Sequence, residues 1–412
     1  MTRLRKPYLD DGDVIVYAGD CIEVMRELPE ASVDAVVTDP PYELGFMGKA
    51  WDGTGIAYQV DTWAAALRVL KPGGHLLAFS GTRTYHRMTC AIEDAGFEIR
   101  DCIAWMYGSG FPKSLDVSKA IDKAAGVVGS YGAPKSAAHA GWIDRGRMRG
   151  DEGHDGYQRP WMTESEAVDR NARQYEPATP EAEKWHGWGT ALKPAYEPVV
   201  VARKPLTGTV AENVLTHGTG VLNIDACRIA AADPFGGGAK ATSGFVNGYE
   251  RGEGWQAGSD LGRWPANVAL DETAATILDQ QSGECKSPAT YRRSAHAEGT
   301  WLHAKPEGSE QIGFGDTGGA SRFFYTAKAS RQDRNVGGLA DNTHPTVKPT
   351  DLMRWLIRLV TPPGGIILDP FGGSGSTGLA ARAENVRCIL IEREDEYLQI
   401  ISDRLAQLSL LA

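Results

Sequence analysis

The sequence predicts an α/β fold built on a mostly parallel central sheet, whose halves come from the two ends of the chain, with a large loop-rich insertion between them. Three observations carry that prediction. The first hundred or so residues alternate short apolar runs with helix-period segments, regular patterning is lost after Phe111-Pro112, and alternation resumes near the C-terminus. Val14 to Tyr17 reads as a strand ending at Gly19-Asp20-Cys21, and Val33 to Val37 as a second ending at Asp39. Both strands therefore deliver an acid at their C-terminal ends. Trp63, Ala66, Leu67 and Leu70 share one helical face, and Lys71-Pro72-Gly73-Gly74 stops that helix before a strand at Leu76 to Phe79. Phe97 to Trp105 supplies a further strand.

From Phe111 to about Trp188, Gly, Arg, Trp and acidic residues mix without sustained period; a strand signal returns at Tyr196 to Ala202, and Gly236 to Gly258 is again irregular. These shifts divide the chain into a first half at 1–112, an inserted region at 113–340 and a last half at 341–412, with 195–204 a strand returning to the core sheet. In the last part, Thr350 is placed to cap a helix with Leu352, Trp355, Leu356 and Leu359 on one side. Ile366 to Leu368 then reads as a strand, Ser376 to Ala383 as a helix and Val386 to Ile391 as another strand, and Tyr397, Ile400, Ile401, Leu405 and Leu408 mark a last helix.

The bulk properties narrow the function classes. A chain of 412 residues with 42% hydrophobic side chains can bury a sizeable core, which excludes disorder throughout. The net charge of -10 argues against nucleic-acid binding only on average, because Lys and Arg can still be gathered on one face. Six cysteines, at 21, 90, 102, 227, 285 and 388, include no C-x-x-C pair and no matching His spacing, so neither a metal site nor a disulfide framework is expected. The first residues are charged and no apolar run approaches membrane length, giving a cytoplasmic expectation.

Two segments carry chemistry. The run Asp369-Pro370-Phe371-Gly372-Gly373-Ser374-Gly375-Ser376-Thr377-Gly378 joins a buried strand to a helix, and its glycines let a ligand approach the backbone. Asp369 suits a cationic amino group better than a pyrophosphate, and Glu392, ending the next strand, is placed to accept from ribose hydroxyls. A tight turn without ligand is the bland alternative. Earlier, a strand breaks into Asp39-Pro40-Pro41-Tyr42. Proline cannot continue a ladder, so carbonyl groups become free acceptors there. An aromatic amine is a poor nucleophile because its lone pair is delocalised. Hydrogen bonds from its two protons to Asp39 and the Pro40 carbonyl would localise that pair, and Tyr42 offers a stacking face to a base taken out of its duplex. A proline-terminated strand with a surface acid is the alternative.

Together the two segments resemble the beta group of DNA amino-methyltransferases, in which the catalytic half precedes an inserted target-recognition region and the methionine-binding half comes last. The resemblance implies a Rossmann-like methyltransferase fold in circularly permuted order, S-adenosylmethionine as methyl donor and double-stranded DNA as partner, with a homodimer left open and no membrane. It also implies DNA modification as the setting, as in restriction-modification. By the same resemblance Asp20-Cys21 would contact the cofactor adenine, Thr346-Val347-Lys348-Pro349 would precede the first cofactor helix with Thr346 and Lys348 binding the cofactor, Asp369, Phe371, Gly373 and Gly375 would surround the methionine moiety, and Glu392 would hold the ribose. Asp at position 39 leans toward adenine N6; cytosine N4 is the alternative, since its enzymes more often show Ser there. The stretch from Arg322 to Arg331 also resembles family members. Its Arg322, Phe324, Lys328 and Arg331 suit phosphate contact and base stacking, with a partly buried strand as the alternative. A non-catalytic DNA-binding relative and a nicotinamide dehydrogenase are the competing classes. Intact Asp39, Tyr42, Asp369 and Glu392 oppose the first, and the late position of the glycine loop opposes the second.

Overall fold

The computed structural model describes residues 5–44, 50–110, 114–145, 172–230, 262–286, 290–292, 310–312, 316–328 and 347–409. The chain divides into two compact units, one formed by 1–109, 196–340 and 344–412 and the other by 110–195 with 341–343. The segment expected as one inserted region, 113–340, is thus split: its second part belongs with the core sheet.

That sheet has ten strands. They are β1 Leu9–Asp10, β2 Val14–Ala18, β3 Val33–Thr38, β4 Leu70–Phe79, β5 Glu98–Met106, β6 Tyr196–Arg203, β7 Val268–Asp271, β8 Tyr325–Ala327, β9 Ile366–Asp369 and β10 Arg387–Glu392. In space the order is β1-β2-β10-β9-β3-β4-β6-β5-β7-β8. β1 and β6 run antiparallel to their neighbours and every other pairing is parallel, which gives the mostly parallel sheet expected. β9 and β10, from the end of the chain, lie between β2 and β3 from its beginning.

Helices cover both faces. On one side α1 (Cys21–Glu27), α2 (Val60–Val69) and α3 (Tyr85–Asp94) bury Val24, Met25, Trp63, Ala66, Met88 and Ile92 against Val33, Val36, Leu76 and Leu368. On the other, α6 (Thr350–Val360), α7 (Ser376–Ala383) and α8 (Asp395–Ser409) pack Leu352, Trp355, Leu379 and Ile401 against Ala35, Val37, Ile367 and Leu390. All six residues of β3 are buried, as a strand covered on both faces requires. Two further helices of this unit are α4, Val210–His217, and α5, Glu272–Ser282.

Several local expectations are corrected. Thr350 does not cap α6: Pro349 holds the cap position and Thr350 is the first helical residue. Lys71 to Gly74 do not precede β4 but lie inside it, because the helix ends at Val69 and a register shift opposite Val33 and Ala35 absorbs Pro72 and Gly73. β7, which extends the sheet beyond β5, was not anticipated, whereas β8 falls in the stretch from Arg322 to Arg331, where a partly buried strand was the alternative reading. The segment from Asn223 to Cys227 fastens α6: the Asn223 amide donates to the Leu359 carbonyl at 2.8 Å, and Cys227 is buried beside Trp355.

The second unit contains the helices Val117–Ala124, Ala137–Arg145 and Pro180–Lys184 and a hairpin of Ser130–Pro134 with Arg173–Glu176. Buried Asp122 organises it, accepting from the Tyr175 hydroxyl at 2.8 Å, the Ala178 amide at 2.8 Å and the Thr179 hydroxyl at 2.7 Å. The Gly-rich stretch Gly236 to Gly258 and the arginines Arg147 and Arg149 lie outside the described residues. Among the described residues no helix is long and apolar enough to cross a membrane.

Asp34 joins the two ends of the chain at the start of β3. One carboxylate oxygen accepts from Lys71 Nζ at 2.5 Å and the other from the Ile366 amide at 2.8 Å, across 332 positions of sequence. Asp34→Ala leaves that amide without its acceptor, and the expected loss is about 1–3 kcal/mol. Urea denaturation monitored by circular dichroism checks this; a midpoint equal to wild type would show that the contact is not holding the two halves.

Candidate active site

Four neighbouring parallel strands, β2, β10, β9 and β3, each end at or within two residues of an acid: Asp20, Glu392, Asp369 and Asp39 in that spatial order. Adjacent strands lie about 4.8 Å apart, so this edge of the sheet concentrates carboxylates. Each is held differently. Asp20 caps α1, accepting from the Ile22 amide at 2.9 Å and the Glu23 amide at 3.1 Å. Cys21 behind it is buried and its thiol is pushed up to about 12, first by burial and then by the charge of Asp20, so it packs as a neutral side chain.

Asp369 is buried between two threonines. The Thr38 hydroxyl donates to one oxygen and the Thr377 hydroxyl to the other, both at 2.6 Å, and the Phe371 amide adds a bond at 3.0 Å. Burial nevertheless raises this carboxyl to about 7, and Asp39 adds to the effect, while the three hydrogen bonds act against it. Glu392 accepts from the Gly373 amide at 2.7 Å and, through its other oxygen, from the Arg393 and Glu394 amides at 2.9 Å. Burial raises its carboxyl too.

Between these acids the chain turns tightly. Gly373 and Gly375 have φ of 50° and 79°, left-handed values that a side chain strains. Arg404, fully buried in α8, donates to the Ser374 carbonyl and to the hydroxyls of Ser374 and Ser376, and so fixes the turn from behind. Sequence reasoning missed Arg404. Its signal was a cation at position 404, in step with the buried stripe of Tyr397, Ile400, Ile401 and Leu405.

After β3, Pro40 and Pro41 end the pairing, and Tyr42 packs partly buried against the core. Its hydroxyl donates to Glu197 Oε2 at 2.8 Å, and its carbonyl accepts from the Thr84 hydroxyl at 2.9 Å. Burial, then Asp39 and Glu197, hold the phenol far above its ordinary value, so Tyr42 stays a donor. Glu43 follows in a left-handed conformation, φ 56°, pinned by its amide on Asp52 at 2.9 Å and its carboxylate on the Gly55 amide at 2.7 Å. Lys348 was expected near the cofactor helix; its Nζ lies 2.7 Å from Asp39 Oδ2 and 3.3 Å from Glu197 Oε2. Among the described residues, Asp39 Oδ1 is buried with no hydrogen-bond partner. Glu197 was seen in the sequence only as part of a strand; a glutamate on β6 beside buried Val199 to Val201 was the available signal.

The basic segment is placed less favourably for a partner. Arg322 is mostly buried, donating to the Gly318 and Gly319 carbonyls at 2.5 and 2.7 Å and stacking on Phe323. Phe324 is partly buried, Tyr325 stacks on Trp355 at 4.8 Å, and Lys328 is exposed beyond the end of β8. Thr346 and Arg331 lie outside the described residues.

A DNA methylase family model matches residues 33–136 and 178–403. The type II methyltransferase M.XycI of Xanthomonas campestris pv. cyanopsidis is 36% identical over 99 residues, 21% of this chain and 33% of that one. M.HindIII of Haemophilus influenzae is 21% identical over 432 residues, covering 95% of this chain and 94% of its own. The chain spans between 33% and 59% of the length of the first curated relatives it matches. Among solved structures, PvuII DNA methyltransferase (cytosine-N4-specific) matches at a TM-score of 0.44 and 15% identity, over 97% of this chain and 89% of that one.

The raised carboxyl of Asp369 makes a stability prediction with a definite sign. A carboxyl that holds its proton more tightly when folded contributes stability at low pH and loses it as pH rises from its ordinary value of 3.8 to about 7. Asp369→Asn, which never ionises, should therefore gain on wild type across that window and level off above it. Urea unfolding of both proteins at pH 5 and pH 8 measures the difference; a gap that shrinks with rising pH would contradict the assignment.

Proposed function

The chain belongs to the DNA methylase family, and from that premise we propose that it transfers a methyl group from S-adenosylmethionine to N6 of an adenine in double-stranded DNA. The observation that carries the reading is Asp39 Oδ1, a buried carboxylate oxygen with no partner among the described residues, at the end of a proline-terminated strand. Leaving such an acceptor unsatisfied costs about 1–3 kcal/mol, so a donor supplied by a substrate is the natural complement. An exocyclic amine has two protons to donate, and the Pro40 carbonyl is the second acceptor. Held by both, the nitrogen pyramidalises and its lone pair becomes available. After transfer that nitrogen carries a positive charge and sheds a proton, and the Asp39 carboxylate is beside it to stabilise the charge and take the proton. The target base must leave its duplex to reach this point, and the Tyr42 ring, tethered by its hydroxyl to Glu197, is the stacking surface offered. Asp at position 39 favours adenine over cytosine N4.

The residues at the neighbouring strand ends fit the proposed cofactor. Two glycines in left-handed turns leave the backbone open beside Phe371, Glu392 ends the next strand over, and Asp369 faces the loop with a carboxyl that a cation would ionise. Asp369, Phe371, Gly373 and Gly375 would hold the methionine part, Glu392 the ribose, and Asp20 with Cys21 the adenine. Bound there, S-adenosylmethionine supplies an electrophilic methyl group.

Asp39→Ala should lower methyl transfer at least about a thousandfold, since it removes the contact made with the reacting amine, while leaving cofactor affinity within about threefold. Tritium transfer to duplex DNA, with nucleoside digestion and mass spectrometry, reads both rate and product. Near-normal turnover in the variant would refute the mechanism, and N4-methylcytosine would replace adenine as the target.

Cofactor affinity should fall about tenfold from pH 8 to pH 6, because protonating Asp369 removes the charge facing the methionine ammonium. Calorimetric titration at the two pH values checks this. Loss of that pH dependence in Asp369→Asn supports the site, and persistence of the full dependence would move the ammonium elsewhere.

A further inference from the structure

Lys348 is a deeply placed cation at the end of β3. It is 6% exposed, its Nζ bonds Asp39 Oδ2 at 2.7 Å and approaches Glu197 Oε2 at 3.3 Å, and it lies over the rings of Tyr42 and Phe79 at 5.2 and 5.1 Å. The Tyr42 hydroxyl closes the ring of contacts by donating to the same Glu197 oxygen at 2.8 Å. Among the described residues, the charged and titratable groups that face it are Asp39 from the end of β3, Tyr42 and Tyr107 from loops, and Glu197 from β6. Burial works against the lysine charge, but Asp39 and Glu197 outweigh it and hold the ammonium above its ordinary value.

A carboxylate that ends a strand can turn about its last torsion, which is broad, and present either oxygen. The lysine removes that freedom. With Oδ2 committed to Nζ, the oxygen left over is Oδ1, which is buried and has no partner among the described residues. The two carboxylates and one ammonium also leave a net negative charge, matched to an amine that becomes cationic. We propose that Lys348 is a positioning residue for Asp39: by bridging Asp39 and Glu197 it presents Asp39 Oδ1 to the substrate amine and, through Glu197, keeps Tyr42 in place. This rests on the function proposed above and differs from the cofactor role that the sequence resemblance implied for Lys348.

The experiment compares Lys348→Met and Lys348→Arg with wild type in steady-state methylation, cofactor calorimetry and crystal structures. Orientation effects of this kind are worth about a hundredfold, so Lys348→Met should lose about that much kcat with KM for DNA and cofactor affinity within about threefold, and Lys348→Arg should recover about tenfold of the loss. The Met variant's structure should show the Asp39 carboxylate turned and Tyr42 shifted. Unchanged kcat would overturn the proposal, as would a tenfold or greater loss of cofactor affinity with kcat preserved, which would make Lys348 a cofactor contact. Should the Met variant fail to fold, Glu197→Gln gives the same reading, with a smaller kcat loss and unchanged cofactor affinity expected. If wild type itself methylates no DNA, the functional reading falls by itself, and the structures decide: Asp39 and Tyr42 unmoved in the variant would overturn the positioning role.

Discussion

The pairing of β3 with β9 is the constraint on which the site depends. It joins residues more than three hundred positions apart and is fastened at both ends, by Asp34 on the Ile366 amide and by the Thr38 hydroxyl on Asp369. Closing so long a loop is entropically costly, but the cost grows only with the logarithm of length, and a buried parallel strand pair with satisfied end contacts offsets it. Once the two strands are adjacent, the acid that ends one and the acid that ends the other are neighbours. A one-step slip in this register would turn Thr38 away from Asp369 and Val36 out of its layer.

Electrostatics at this edge favour arrangement over stability. Asp39, Glu197 and Lys348 are held where water is largely excluded, and Lys348 is nearly fully buried. A pair of charges at 4 Å and an effective dielectric near 20 gains about 4 kcal/mol, whereas desolvating each ion costs several. The two nearly cancel, so the cluster adds little net stability. What survives the cancellation is geometry. The same holds for Asp369, where three hydrogen bonds do not overcome burial and the carboxyl stays near neutrality.

Much of this was legible in the sequence because it is local. Strands of apolar residues ending in acids, two prolines after Asp39 and glycines after Asp369 are each contiguous patterns, and the helices around Trp63 and Trp355 announce themselves by period. The less visible parts depend on contacts across the fold. β7 and β8 are four and three residues long, too short to show a period, and gain their place only by extending β5. Glu197 and Lys348 lie 151 positions apart and meet because β6 inserts antiparallel between β4 and β5. Arg322 read as a surface cation from its neighbours, yet carbonyl groups of its own turn take up its donors.

The strands that flank the second unit have a consequence for how such a chain can change. β5 and β6 are hydrogen-bonded neighbours, and Met106 at the end of one is paired directly with Tyr196 at the start of the other. Whatever lies between them leaves and re-enters the sheet at adjacent points, so the sheet register is indifferent to its length or composition. Insertions and replacements there disturb neither the strand order nor the carboxylate edge. The architecture joins the strands that carry the carboxylate edge to the segment between β5 and β6 at one place, and that antiparallel strand pair is the seam.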